Sequence, residues 1–201
     1  LPLPTGSWGY DSSLEADVPS YDPEGAKQLL EEAGYGDGLS LNLYISNTEA
    51  RLKMATILQQ SLKENLGIDL TINPADWGTF SAVAAAGQAD LYGMSWTWYP
   101  DPYFFLNKLF SSSEVGALGN GAGFSHEEVD DLLAKALEVT DQGARADYYK
   151  QALKAIVSYD PMLVYASENV NTGMTGSVQG YVQRSDGKVL ITNQQVNISK
   201  S

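Results

Sequence analysis

Residues 39–73, with the sequence LSLNLYISNTEARLKMATILQQSLKENLGIDLTIN, decide the fold because the spacing of their apolar residues changes twice. Apolar and polar residues alternate over 39–46 and again over 68–73, which predicts two strands. Between them, residues 49–66 have the period of a helix. The residues predicted to face inward from that helix are Met54, Ile57, Leu58 and Leu62. A strand, a long helix and a strand predict parallel pairing through a right-handed crossover.

An aromatic segment follows a third predicted strand, residues 90–96, which is expected to be largely buried. The sequence of residues 95–110 is SWTWYPDPYFFLNKLF. Its two prolines lack backbone donors, so it would be a poor core strand. If it were a loop on the surface, its aromatic rings would stay exposed to water, at a free-energy cost of about 2 kcal/mol each. The segment is therefore interpreted as one wall of a ligand pocket, held stiff by its prolines.

Ligands of open α/β sheets collect beyond the carboxyl ends of the strands, which is where this aromatic segment is expected. Ser46 and Asn47 end the first predicted strand, so they are expected to face the same cleft. The residues predicted to bind the ligand are Ser46, Asn47, Trp96, Trp98, Tyr99, Asp101 and Tyr103. Two alternatives stay open: Asp101 as a turn-forming carboxylate bonded to local amides, and Trp98 and Tyr99 packed between helices.

The remaining elements are mostly helical. A short helix is predicted to begin after Asp76, with Trp77 leaning towards the core. A capping box of Ser125 and Glu128 predicts the start of another helix. A further helix begins near Asp141, and the residues it is expected to bury are Tyr149, Ala152, Leu153, Ile156 and Val157. Residues 162–167 predict a strand, and short β-like runs continue from there to Ser201.

The composition excludes several functions. The chain has 201 residues and a formal net charge of −13. A surface that acidic repels phosphate backbones and anionic lipid, which argues against nucleic acid as a partner. The chain has no cysteine, which excludes thiol catalysis, disulfides and Cys-ligated metals. No apolar run approaches the roughly 20 residues of a membrane helix.

The sequence offers little for a covalent mechanism. His126 is the single histidine, and one histidine without a nucleophile motif cannot form a triad. Gly-x-Ser-x-Gly, phosphate-loop and His-Glu-x-x-His motifs are missing, so no catalytic, metal or cofactor residue is predicted. Acidic residues near aromatic ones leave a glycoside hydrolase as an alternative, with Asp101 as its acid.

Residues 1–21 are rich in Pro, Gly, Ser and Asp and are expected to form a linker or strap across a surface. They lack the features of a signal peptide. Asp22 and Pro23 then predict the start of a helix. Residues 22–201 are expected to form one α/β lobe.

Four segments, in this order, resemble the carboxyl-terminal lobe of the family 5 extracytoplasmic solute-binding proteins. They are YDPEGAKQLLEEAGY at 21–35, LGIDL at 66–70 with Asp76-Trp77 after it, SWTWYPDPYFFL at 95–106, and FSHEEVDDLL at 124–133. The resemblance implies an α/β lobe of the type II periplasmic-binding-protein kind, with a central mixed sheet flanked by helices. It also implies a two-lobed trap that performs no covalent chemistry, in which residues 1–21 follow the crossing between the lobes.

The resemblance implies partners as well: a small solute such as an oligopeptide or oligosaccharide, an ABC permease, and an amino-terminal lobe of the same parent chain. It implies an extracytoplasmic location with a lipid anchor. Peptide-binding members often have an Asp two residues before Pro-Asp-Pro, where Trp98 stands here. A peptide ammonium would then depend on Asp101, whereas Trp98 suits a sugar ring or an apolar group. A sensory lobe fused to a regulator is the alternative.

Overall fold

A computed structural model of the chain describes residues 1–167, 171–182 and 197–198. The α-helices of these residues are α1 (Pro23–Glu32), α2 (Glu49–Leu66), α3 (Trp77–Ala85), α4 (Leu106–Phe110), α5 (Glu127–Glu138) and α6 (Gln142–Tyr159). The strands are β1 (Ser40–Ser46), β2 (Asp69–Ala75), β3 (Leu91–Gly93), β4 (Val178–Gln179) and β5 (Asn197–Ile198). Short 3-10 helices cover Ser12–Asp17, Pro102–Phe104 and Ser112–Glu114.

The strands β1, β2 and β3 form a parallel sheet in the order β2-β1-β3. The parallel pairing predicted from residues 39–73 is therefore confirmed. At the end of β1, Ser46 lies opposite Ala75 of β2, and Ile45 lies opposite Gly93 of β3. All three strands thus direct their carboxyl ends to one edge of the sheet.

The ends of the helices beside the sheet follow from the local sequence. The hydroxyl of Thr48 accepts a hydrogen bond from the backbone N–H of Arg51 at the start of α2. Gly67 ends that helix with a φ of 70°, a conformation that costs glycine little. The carboxylate of Asp76 accepts from the backbone N–H of Thr79 and begins α3, as predicted.

The side of α2 that packs on the sheet differs in part from the prediction. Ala55 is buried, and Leu58 and Leu62 pack with it against β1 and β2. Met54 and Ile57, which were expected to face inward, are 38% and 61% exposed. Two apolar stripes run side by side on this helix, about 100° apart. The sheet contacts the stripe with the small Ala55, which lets the helix approach closely.

The third strand is shorter and more exposed than predicted. Residues 90–96 were expected to form a buried strand, but β3 covers Leu91–Gly93 and none of its residues is buried. Asp90 fixes its start, because its carboxylate accepts hydrogen bonds from the backbone and side-chain amides of Asn42 at 2.7 and 3.2 Å. After Gly93 the chain leaves the sheet, so the later residues have no strand to pair with.

A second hydrophobic cluster lies among α4, α5, α6 and the N-terminal residues. The inward side of α6 is as predicted, with Tyr149, Ala152, Leu153, Ile156 and Val157 all buried. Leu3 and Leu14 join this cluster, and they are 1% and 8% exposed. The first part of the N-terminal segment, residues 1–14, is thus packed on the helical half of the protein, whereas residues 15–21 are exposed.

Two expectations for the helical half and the tail were wrong. The helix α5 begins after His126, so Ser125 and Glu128 do not form the predicted capping box, and no side chain caps this helix end. Residues 162–167 do not form a strand, and Leu163 is 71% exposed, because no neighbouring strand in the described ranges pairs with them. The expected β-like runs beyond them lie largely outside the described residues, apart from the antiparallel pair β4–β5. Within the described ranges, no helix has the length and apolar character required to cross a membrane.

Candidate functional site

The candidate site lies at the edge where the three parallel strands end. β1 is followed by Asn47, β2 by Asp76 and Trp77, and β3 by the aromatic segment 95–110. The strands end in register, and neighbouring strands of a sheet lie about 4.8 Å apart. Ser46, Asn47 and the beginning of the aromatic segment therefore share one edge.

Phe104 lies at the centre of the aromatic segment. Trp98 stacks on it, with 5.6 Å between ring centroids and 15° between planes. Tyr99 and Tyr103 contact the same ring at centroid distances of 5.6 and 5.3 Å. The indole Nε1 of Trp96 donates a 2.7 Å hydrogen bond to the carbonyl of Phe104. These contacts within the segment hold its rings in a defined arrangement without help from the sheet.

The rings differ in how much of their surface they show. Trp98 and Tyr99 are 46% and 48% exposed, and Trp96, Tyr103 and Phe104 are half-buried. The apolar residues that follow enter the core; they are Phe105, Leu106, Leu109 and Phe110. Because Phe104 covers one face of Trp98, the surface that this indole offers to a ligand is limited to its other face and its edge.

Asp101 forms the turn between the two prolines. Its Oδ1 accepts a 2.9 Å hydrogen bond from the backbone N–H of Tyr103 and lies 3.8 Å from Nη2 of Arg145. The backbone N–H of Asp101 donates to the carbonyl of Tyr99. The carboxylate thus makes the local backbone contact that its flanking prolines suggested, together with one partner from α6 that the sequence did not reveal.

Arg51, in the first turn of α2, is a candidate that the sequence pattern did not single out. Its Nη1 donates a 2.6 Å hydrogen bond to Oγ of Ser46, and its Nε is buried without a hydrogen-bond partner. Among the described residues, no carboxylate forms an ion pair with it. The signal was present in the sequence, because a cation at a helix N-terminus is electrostatically unfavourable and needs a reason.

Trp77 was predicted to lean towards the core, and this was wrong. It is 55% exposed, whereas Phe80 and Ala84 of the same helix are fully buried. The inward positions of α3 are these two, one helical turn apart, and Trp77 at its first position lies beyond the edge of the sheet. Its ring contacts that of Phe80 with 5.6 Å between centroids. The strand ends thus carry a further exposed aromatic residue.

The charges near this edge are few. Hydrogen bonds from the hydroxyl and the backbone N–H of Thr79 lower the pKa of Asp76, so its carboxylate is ionised at neutral pH. On the other side, Nζ of Lys108 lies 5.7 Å from the ring centroid of Tyr103. A 2.5 Å ion pair with Glu114 raises the pKa of Lys108.

The chemistry that the edge offers is that of non-covalent recognition. It combines aromatic faces, the guanidinium of Arg51, the carboxylate of Asp76 and small polar groups. His126 lies at the start of α5 and stacks on Tyr159, with 3.7 Å between ring centroids. Across the described ranges, no three His, Asp or Glu residues are grouped as a metal site.

The parallel sheet with flanking helices has the architecture of a lobe of the type II periplasmic-binding-protein fold. Residues 1–117 match the model of the bacterial extracellular solute-binding proteins, family 5 (middle region). The chain belongs to family 5 of the bacterial extracellular solute-binding proteins, as the four ordered sequence segments suggested.

Individual relatives support the same assignment. Over 192 residues the chain is 34% identical to the heme-binding protein A of Haemophilus influenzae. This match covers 90% of this chain and 34% of that protein. It is 31% identical to the dipeptide-binding protein of Escherichia coli, over 92% of this chain and 35% of that protein. The chain thus spans about a third of the length of the relatives it matches.

A solved structure confirms the fold. The dipeptide-binding protein of a Pseudoalteromonas species, in complex with Met-Leu, superposes with a TM-score of 0.76 and 28% identity. The superposition covers 98% of this chain and 39% of that one. The relatives that these comparisons name are binding proteins.

Proposed function

We propose that this chain is the ligand-binding lobe of a solute-binding protein that serves an ABC importer, and that its solute is a short peptide. The observation that carries the proposal is that Arg51 and exposed aromatic rings both follow strand ends at one edge of the sheet. The guanidinium of Arg51 donates through Nη1 to Ser46, and no carboxylate among the described residues forms an ion pair with it. A guanidinium of this kind favours a carboxylate-bearing ligand.

A peptide supplies both groups that this edge would recognise. Its terminal carboxylate would bind Arg51, beside Ser46 and Asn47. Its apolar side chains would pack on the open surfaces of Trp98, Tyr99 and Trp77, which are about half exposed. The names of the Escherichia coli and Pseudoalteromonas relatives, both dipeptide-binding proteins, support a peptide over an oligosaccharide.

The ammonium of such a peptide needs a counter-charge, and both carboxylates of this region are already engaged. Asp76 accepts hydrogen bonds from the backbone N–H and the hydroxyl of Thr79. Asp101 is already occupied by the backbone N–H of Tyr103 and by Arg145. We therefore assign the counter-charge to the part of the parent protein that closes over the ligand. In this proposal Trp96 and Tyr103 support the exposed rings, and Asp101 holds the turn that carries them.

The proposal for the whole protein is a two-lobed trap. Residues 1–21 would follow the crossing from the amino-terminal lobe, and residues 22–201 would form the carboxyl-terminal lobe. Closure would deliver the peptide to an ABC permease from an extracytoplasmic position, with a lipid anchor at the amino terminus of the parent. Because one lobe presents half a pocket, we expect this chain alone to bind peptide in the millimolar rather than the micromolar range.

The test is a titration of the chain with the dipeptide Met-Leu and with its C-terminal amide, followed by NMR because the expected affinity is weak. The account expects the free carboxylate to bind more tightly than the amide, and Arg51→Met to remove that preference. The matched control is Lys53→Met, which removes one positive charge from an exposed position of the same helix. It should leave the preference unchanged.

Four outcomes would redirect the proposal. Equal binding of acid and amide by the wild-type chain would contradict the role of Arg51. If an oligosaccharide binds instead, and Trp98→Ala but not Arg51→Met abolishes that binding, the solute is a sugar.

Turnover of a glycoside that is lost in Asp101→Asn would point to a hydrolase. A regulator domain in the parent chain would point to a sensory lobe.

A further inference from the structure

Three distant parts of the chain meet behind the turn that carries the exposed rings. The backbone of Gly9, with a φ of +82°, lies so close to the turn that a Cβ there would be 3.5 Å from Cγ of Pro102. The same Cβ would be 3.8 Å from Cβ of Tyr149 in α6. The N-terminal segment, the helix α6 and the Pro-Asp-Pro turn are thus in direct contact.

Arg145, in the first turns of α6, connects these three parts. The centre of its guanidinium lies 4.9 Å from the ring centroid of Trp8 and 5.7 Å from that of Tyr149. Its Nε donates a 3.1 Å hydrogen bond to the carbonyl of Ala136 in α5. Its Nη2 lies 3.8 Å from the carboxylate of Asp101. Arg145 is therefore held on several sides, and its side chain is only 25% exposed.

The contacts continue from Asp101 to the exposed rings. The same Oδ1 that faces Arg145 accepts the backbone N–H of Tyr103, in the 3-10 helix Pro102–Phe104. Phe104, at the end of that helix, stacks on Trp98 and accepts the indole N–H of Trp96. A displacement of Asp101 would therefore be passed to the rings through one short turn of backbone.

We infer that Arg145 is a positioning residue, which seats the aromatic segment through Asp101 and links its geometry to the N-terminal segment through Trp8. The guanidinium suits this task because its centre lies over the ring of Trp8 while its Nη2 faces the carboxylate of Asp101. A lysine offers a single point charge and cannot do both. That Arg145 also affects ligand binding rests on the proposed function. That Arg145 positions the aromatic rings does not depend on it.

The test uses the chain labelled with 5-fluorotryptophan, in which the four tryptophans give separate fluorine resonances, each assigned by its Trp→Phe variant. Arg145→Gln and Asp101→Asn should each displace the Trp98 resonance, and the double variant should displace it no further than one single variant does. Trp77 lies outside this chain of contacts, so its resonance should stay in place. Lys154→Gln makes the same change of charge at an exposed position of α6 and should leave Trp98 unmoved.

Arg145→Lys keeps the positive charge, and it replaces Arg145→Gln in the test if Arg145→Gln does not fold. It should give a Trp98 shift between those of the wild type and Asp101→Asn. The inference is overturned if Asp101→Asn moves Trp98 while Arg145→Gln and Arg145→Lys do not. It is also overturned if the shifts of Arg145→Gln and Asp101→Asn add in the double variant. Failure of the wild-type chain to bind any peptide would contradict the proposed function and leave this result intact.

Discussion

Trp96 and Phe104 are joined across the Pro-Asp-Pro turn by a 2.7 Å hydrogen bond from the indole N–H to the backbone carbonyl. Eight residues apart, they close the aromatic segment into a loop whose middle carries Trp98 and Tyr99. The stack of Trp98 on Phe104 lies inside this loop, with 15° between the ring planes. The exposed rings are thus presented by a closed loop, and this arrangement avoids the ordering cost that a flexible segment would add to ligand binding.

Replacing Trp96 by Phe should open this loop. The carbonyl of Phe104 would lose its donor in a half-buried place, which costs about 1 kcal/mol of unfolding free energy. Urea denaturation of Trp96→Phe, beside Trp98→Phe as the control that keeps a ring over Phe104, would measure the difference. Equal destabilisation of both variants would show that the hydrogen bond contributes nothing.

The two aromatic residues of α3 should separate stability from binding. Phe80 is fully buried, so Phe80→Ala should lower the unfolding free energy by about 3–5 kcal/mol. Trp77→Ala, at a position that is 55% exposed, should change stability little but weaken the binding of Met-Leu. Thermal unfolding and an NMR titration of both variants measure the two effects. A Trp77→Ala chain with unaltered peptide affinity would remove Trp77 from the site.

The sequence predicted correctly those strands and helices whose pattern of apolar residues has a single interpretation. The alternation in residues 39–46 and 68–73 around a long helix leaves parallel pairing as the simple solution, and α6 has a single apolar stripe. The helix α2 has two stripes, with Met54 and Ile57 on the one that stays exposed. Helix propensity does not distinguish the two stripes, because packing against the sheet determines which of them is buried.

The site was predicted in part for a similar physical reason. The prolines and aromatic residues of 95–110 identify an unusual loop by themselves. A cation at a helix N-terminus is a sequence signal for Arg51, but Arg51 and Trp77 are placed at one site only when the strand ends are brought into register, because each lies in the first turn of a different helix. Arg145 lies far from Asp101 along the chain, and no local pattern connects them.

A side chain at Gly119 should distort the seat of the aromatic segment. A Cβ there would lie 2.1 Å from the backbone carbonyl oxygen of Lys108 and 3.4 Å from Cη2 of Trp96. Since the backbone must move, Gly119→Ala should cost about 1–3 kcal/mol. Gly173→Ala is the matched control, because a Cβ at Gly173 meets nothing within 4 Å. Denaturation curves of the two variants compare them, and equal midpoints would contradict the close packing.

The cap of α3 should make stability depend on pH. Hydrogen bonds from Thr79 lower the pKa of Asp76 below its ordinary value of 3.8. The folded state therefore binds this proton less readily than the unfolded state, so the contribution of Asp76 is full above about pH 4 and is lost as the pH falls further. Asp76→Asn keeps an acceptor for the backbone N–H but does not titrate there. Urea denaturation from pH 6 to pH 2 should show the advantage of the wild type over Asp76→Asn shrinking on acidification, and a constant difference would contradict the assignment.

The most direct test of the ligand edge is a map of where a peptide touches the chain. Backbone and indole N–H resonances, recorded while Met-Leu is added to saturation, report each residue separately. The account predicts that the shifts concentrate at Ser46, Asn47, Arg51, Trp77, Trp98 and Tyr99, with α5 and α6 unmoved. Saturable shifts confined to α5 and α6, with the strand ends unchanged, would contradict it.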